Sequence, residues 1–187
     1  MSCYRVGFTI GPIYKVFQQV TAPVSSWAAS YIFSYTMKQL ATHVMQTYGK
    51  GDGDLLILPY LGFDETGRSI AKESSNLAGI GRYPDRAFFQ ITTDLTANEL
   101  KTEIAHCIHE TKEDIRQALP GEYLGRDEFV DNELYIEFVI QPSVIRGEPT
   151  VKRLNRLLDV AEENAGTRLE FAHDYINEIF NERRNEP

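Results

Sequence analysis

Thr9-Ile10-Gly11-Pro12-Ile13 joins an alternating apolar run to a helical one, and the first chemistry in the sequence falls at that junction. A helix that begins directly after a strand leaves its first N–H groups unpaired and turns the positive end of its dipole outward, which favours phosphates and other anions. Gly11 has no Cβ, so a ligand can approach the backbone there, provided that the glycine lies open. The plainer reading of a Gly-Pro pair is a turn. A second candidate is Trp27–Ser34 (WAASYIFS), where Ser30 and Ser34 share a helix face and their hydroxyls can bond a base edge. Close helix–helix packing explains the small residues at 28–30 equally well. His106, His109 and Glu110, with Glu103, recur at spacings of three and four that suit a metal, but no H-E-x-x-H pattern is present. A solvated helix face with ordinary histidines is the simpler account. His173-Asp174 lacks the further distant His and Asp residues of an HD phosphohydrolase. Cys107 follows an apolar helix face and reads as a small buried residue. Asp64 and Glu65 read as exposed loop acids.

These residues need a scaffold, and hydrophobic periodicity supplies its outline. Residues 4–10 (YRVGFTI), 55–59, 86–92 (RAFFQIT) and 134–141 (LYIEFVIQ) read as strands. A long helical stretch follows Pro12, breaks near Pro23 and ends at Gly49; Phe33, Met37, Leu40, Ala41, Val44, Met45 and Tyr48 recur on one side. Its opening turns are apolar nearly all round, which predicts burial on two sides. Thr96 and Glu99 form a capping box that opens a helix running to about Leu119, with Leu100, Ile104, Cys107, Ile108 and Ile115 on its apolar face. Residues 60–85 form a long connection, with a short helix expected around 69–75. Two more helices, about 150–164 and 168–183, complete the chain. The order β-α-β-β-α-β predicts an α+β, ferredoxin-like domain over 1–145: a four-stranded antiparallel sheet with both helices on one face. Residues 146–187 are then a helical extension, expected to continue into or pack on a neighbouring domain.

The composition of the 187-residue chain, 42% hydrophobic and 25% charged, is that of a folded globular protein. The net charge of −8 is uneven. Residues 1–92 hold 8 Lys+Arg against 6 Asp+Glu, while residues 93–187 hold 11 against 21. A broad basic surface that would capture nucleic acid by counterion release is therefore missing, and any RNA is expected to be held by other chains. Two cysteines make no disulfide framework, and neither a signal peptide nor a membrane-length apolar run is evident, so a cytoplasmic protein is expected.

Phe8-Thr9-Ile10-Gly11-Pro12-Ile13, followed by Ser26–Ser34 (SWAASYIFS), resembles the opening of the first Palm domain in the large subunit of type III CRISPR effector complexes. That family reads I-S-I-G-P-V-Q and then L-W-A-G-S-Y-L-L-S. The resemblance extends through Leu55–Pro59 and Tyr83–Phe88 (YPDRAF), where the family has P-N-R-F before a strand. It covers about residues 4–120 and is nearest the III-B (Cmr-type) branch. Thr21–Ser26 replaces the charged residues usual before the Trp, Ala29 stands for the Gly of A-G-S, and Asp85 stands for the Asn.

The resemblance implies a subunit of an antiviral ribonucleoprotein whose two Palm domains bind ATP between them. The second Palm, through a G-G-D-D metal motif with Mg or Mn, makes cyclic oligoadenylate or a related AMP conjugate. It also implies that Gly11, Pro12, Ile13, Ser30 and Ser34 line a nucleotide pocket, and that the partners are a second Palm and the other subunits, with crRNA and target RNA contacted indirectly. The sequence opens on the Palm strand, so the N-terminal HD nuclease of many relatives is not expected, and the chain reads as a piece of a longer subunit.

This Palm reads as the non-catalytic one. Two-metal nucleotidyl transfer needs clustered carboxylates, whereas the first strand ends Phe8-Thr9-Ile10-Gly11 without an acid. Gly51-Asp52-Gly53-Asp54 matches G-G-D-D only in letters, because it precedes the second strand. No catalytic or metal-binding residue is expected in this chain. The rival readings are a structural or protein-interaction module of the same complex and, more remotely, a His-based metal hydrolase.

Overall fold

A computed structural model describes residues 1–19, 23–48, 56–58, 83–121, 125–143 and 150–166. Among them the strands are β1 (Ser2–Gly11), β2 (Leu56–Leu58), β3 (Arg86–Thr93) and β4 (Tyr135–Pro142). The helices are α1 (Ile13–Gln19), α2 (Pro23–Tyr48), α3 (Ala97–Ala118), the single turn α4 (Arg126–Glu128) and α5 (Thr150–Gly166). The protein is a mixed α/β structure around an antiparallel sheet. β1 lies at its centre, paired with β3 from Ser2↔Thr93 to Thr9↔Arg86 and with β4 from Tyr4↔Pro142 to Gly11↔Tyr135. The three-residue β2 pairs antiparallel with β3 at the edge, giving the order β2-β3-β1-β4.

Strand side chains alternate between faces, and the alternation in β1 builds two unlike layers. Tyr4, Val6, Phe8 and Ile10 enter the main core with Ala87, Phe89 and Ile91 of β3 and Ile136 of β4. α2 and α3 lie against this face, contributing Phe33, Met37, Leu40 and Val44, and Leu100, Ile104 and Ile115. Phe8 and Phe89 meet edge to face with centroids 5.5 Å apart. Each such fully buried side chain stabilises the fold by about 1.5–3 kcal/mol.

The α3 capping box forms as its sequence predicts. Thr96 Oγ1 accepts from the Glu99 backbone N–H at 3.3 Å, and the Glu99 carboxylate accepts from the Thr96 N–H at 2.7 Å. The Thr96 backbone N–H, and after it the Thr96 side chain, hold the Glu99 carboxyl below its ordinary value. His43 ties α2 to α3, with Nε2 2.9 Å from Asp114 Oδ2.

Three features depart from the expectations. Phe129–Glu133 forms a π-helical turn after α4, and Phe129 and Val130 plug the main core; the acidic stretch around them carries no helical period. The opening of α2 is buried on one side only. Ala28, Ala29, Ile32 and Phe33 are inside, while Trp27 and Tyr31 are 56% and 42% exposed and stack on each other, with Tyr31 stacking in turn on Tyr35. α5, expected within the helical extension, covers the second face of the sheet, where Leu154 and Leu158 pack on Phe88. Gly7 permits that approach, because a Cβ there would lie 3.2 Å from Leu158 Cδ1. The expected helices around 69–75 and 168–183, the Gly49 cap and the boundary at 145/146 fall outside the described residues.

Candidate functional site

The junction after β1 forms as a strand-to-helix turn, with Gly11-Pro12 as a cis peptide and α1 beginning at Ile13. Its geometry is set from two sides. The Ile10 N–H donates to the Asp85 carbonyl at 3.0 Å, which fixes the segment before β3 against the end of β1. On the other flank Gly11 pairs with Tyr135 of β4, and the Tyr135 ring lies across it. A Cβ at Gly11 would sit 2.2 Å from Tyr135 Cζ and Oη. Gly11 and Pro12 are buried and Ile13 is half-buried against the main core. The open glycine that close ligand approach requires is therefore absent here: a phenol ring fills the space. Burial, reinforced by the nearby Glu162 and Asp85 charges, pushes the Tyr135 hydroxyl up to about 12.

Ser30 and Ser34 share a face of α2 but not an environment. Ser34 is buried, and its Oγ accepts from the Tyr83 backbone N–H at 3.3 Å. It joins α2 to the segment entering β3. Ser30 is half-exposed, one turn along from the exposed Trp27 and next in the chain to the exposed Tyr31. The sequence from Ile13 to Tyr48 contains no Asp or Glu, so the segment bearing these aromatics contributes no acid of its own in an otherwise acidic protein.

The second face of the sheet carries a polar network that sequence reasoning did not single out. Arg86, opposite Thr9 on β1, projects toward α5. Its Nη2 lies 2.7 Å from Asp159 Oδ1 and 2.9 Å from Glu162 Oε2, Nε donates to Glu162 Oε1 at 3.3 Å, and Nη1 donates to Asn155 Oδ1 at 3.1 Å. The Thr9 hydroxyl donates to the same Glu162 carboxylate. Burial works against the guanidinium, but Asp159 and Glu162 outweigh it and hold Arg86 above its ordinary value. The only sequence signal was the Arg of the Tyr83–Phe88 segment, standing where the resembling family also has one.

The histidine candidates do not converge on a metal. His106 and His109 are exposed, and His106 Nδ1 lies 3.8 Å from Glu110 Oε1. Among the described residues no group of three His, Cys, Asp or Glu side chains is placed to hold a cation. Cys107 is buried, and burial pushes its thiol up. Gly51–Asp54, Asp64, Glu65 and His173-Asp174 lie outside the described residues. No described helix is long and apolar enough to cross a membrane.

The fold and junction together define a class: an α/β domain on an antiparallel sheet, whose central strand runs through a Gly-Pro turn into a helix with no acid at the strand end. The chain belongs to the family described as CRISPR-associated protein Cmr2, N-terminal, whose model matches residues 5–119. It is thus the N-terminal region of a type III-B large subunit and a component of a type III CRISPR complex. No curated protein matches the chain.

Proposed function

We propose that this chain forms a ferredoxin-like Palm domain, the first of two in the large subunit, and supplies the non-catalytic half of an ATP site that a second Palm completes. The observation that carries this reading is the strand order β2-β3-β1-β4 together with a helix entered straight from an acid-free end of β1, a junction that lies within the family match. In this reading Gly11, Pro12, Ile13, Ser30 and Ser34 form this chain's side of the pocket. The carboxylates that hold Mg or Mn belong to the second Palm, which would make cyclic oligoadenylate or a related AMP conjugate. The crRNA and target RNA are held by other subunits, in keeping with an acidic chain. Nucleotide entry requires the Tyr135 ring to leave Gly11, and the half-exposed Ser30 offers the accessible hydroxyl.

A second reading has its own support. With Gly11 roofed by Tyr135 and Ser34 engaged by Tyr83, the chain serves as a structural module that presents its Trp27–Tyr31 flank to a neighbouring subunit. ATP titration into Tyr135→Ala separates the two. Binding that appears in this variant and is lost when Ser30→Trp is added supports the nucleotide half-site. No binding at millimolar ATP to folded Tyr135→Ala in the presence of the second Palm, which completes the site, supports the structural module. Turnover of ATP by the pure chain with Mn would overturn the non-catalytic assignment altogether.

A further inference from the structure

The network beneath α5 has the form of an occupied anion site. Two oxygens of Glu162 and one of Asp159 converge on a single guanidinium, and the Thr9 hydroxyl donates to the same Glu162 carboxylate. A guanidinium fork with an adjacent hydroxyl donor is also what binds a phosphate, and the carboxylates stand where its oxygens would sit. Thr9 and Gly11 project to the same face of the sheet, about 7 Å apart at strand spacing, so a polyphosphate reaching the junction after β1 would arrive at Arg86.

The helix that delivers these carboxylates is anchored apart from the main core. Among the described residues its apolar footing is a small separate cluster, Leu154 and Leu158 on Phe88, with Val139 and Val151 partly buried against them. Leu157 and Val160 on the same helix are 37% and 55% exposed. Elements with few buried apolar contacts are those that open locally at low free-energy cost.

We propose that Thr9 and Arg86 form a binding site for the polyphosphate of a nucleotide, and that α5 is an autoinhibitory cover whose Asp159 and Glu162 occupy the site until it is displaced. The choice of a nucleotide as the source of the anion rests on the function proposed above; the anion site itself does not. Glu162 also lies near Tyr135, so one displacement removes the carboxylates from Arg86 and part of what surrounds the ring over Gly11.

The test measures inorganic tripolyphosphate and ATP binding to the full chain by calorimetry. Asp159→Asn combined with Glu162→Gln is expected to bind tripolyphosphate at least tenfold more tightly than the parent chain, and adding Arg86→Gln is expected to abolish the gain. Leu158→Ala, which loosens α5 without changing charge, is expected to move affinity in the same direction. A folded double variant with no gain, or a gain that survives Arg86→Gln, overturns the proposal. If the double variant does not fold, hydrogen exchange on the parent chain decides: millimolar tripolyphosphate should speed exchange of the α5 amides, and unchanged protection overturns the cover. A gain for ATP without one for tripolyphosphate sinks the anion site and leaves the nucleotide half-site standing. A gain for tripolyphosphate with ATP binding indifferent to Ser30→Trp upholds the anion site and sinks the half-site.

Discussion

Replacing Gly11 with alanine tests the closure of the junction directly. The new methyl carbon would lie 2.2 Å from Tyr135 Cζ and Oη and 2.7 Å from Cε1, far inside the ~3.5–4.0 Å at which carbon contacts are comfortable. The ring must therefore move by more than ~1 Å, and overpacking of this kind costs about 1–3 kcal/mol. Backbone strain adds nothing, because Gly11 is not among the positive-φ glycines. Removing a flexible glycine from the unfolded chain returns about 0.4–1 kcal/mol. The expected net effect of Gly11→Ala is a loss of about 1–2 kcal/mol. In a Tyr135→Ala background the clash is gone and only the unfolded-state gain remains, so the same substitution should stabilise by about 0.4–1 kcal/mol. Urea unfolding of the parent chain, both single variants and the double variant gives the coupling between the two positions. A coupling below ~0.5 kcal/mol, or a destabilising Gly11→Ala in both backgrounds, would show that Tyr135 does not seal the glycine.

Two further outcomes follow from local contacts. Thr96→Ala removes one side of the α3 capping box and should cost about 1 kcal/mol, read as a lower urea midpoint with an unchanged slope; an unaltered midpoint would mean that the helix start is held by something else. Burial, ahead of the nearby Cys107 and Glu103, pushes the Tyr48 phenol up to about 12, and burial raises Tyr135 to the same value, from an ordinary 10. The unfolded chain loses these protons first as pH rises. Their contribution is therefore fully present below about pH 10 and disappears as pH climbs toward 12. Thermal unfolding followed between pH 9 and 12 should fall less steeply in Tyr48→Phe/Tyr135→Phe than in the parent chain, and parallel curves would refute the assignment.

Local chemistry was legible and long-range placement was not. The Thr96–Glu99 capping box is a contact between residues three apart, so the sequence contains the whole of it. The strand around Tyr4–Ile10 and the α3 face of Leu100, Ile104, Cys107 and Ile115 follow from period alone, since a side chain's face is fixed by its position in a regular element. The same pattern could not tell that Trp27 and Tyr31 stay outside, because an all-round apolar turn does not reveal how many neighbours it has.

The sequence by itself determined an α/β chain with a Gly-Pro junction after its first strand, and its family follows from motifs in consecutive residues. Only the tertiary structure decided whether that junction is open. Tyr135 reaches Gly11 through the register of β4 on β1, and Glu162 reaches Thr9 across 153 positions through the docking of α5. Both contacts depend on how elements pair and pack after they form, and no periodicity within either segment records it.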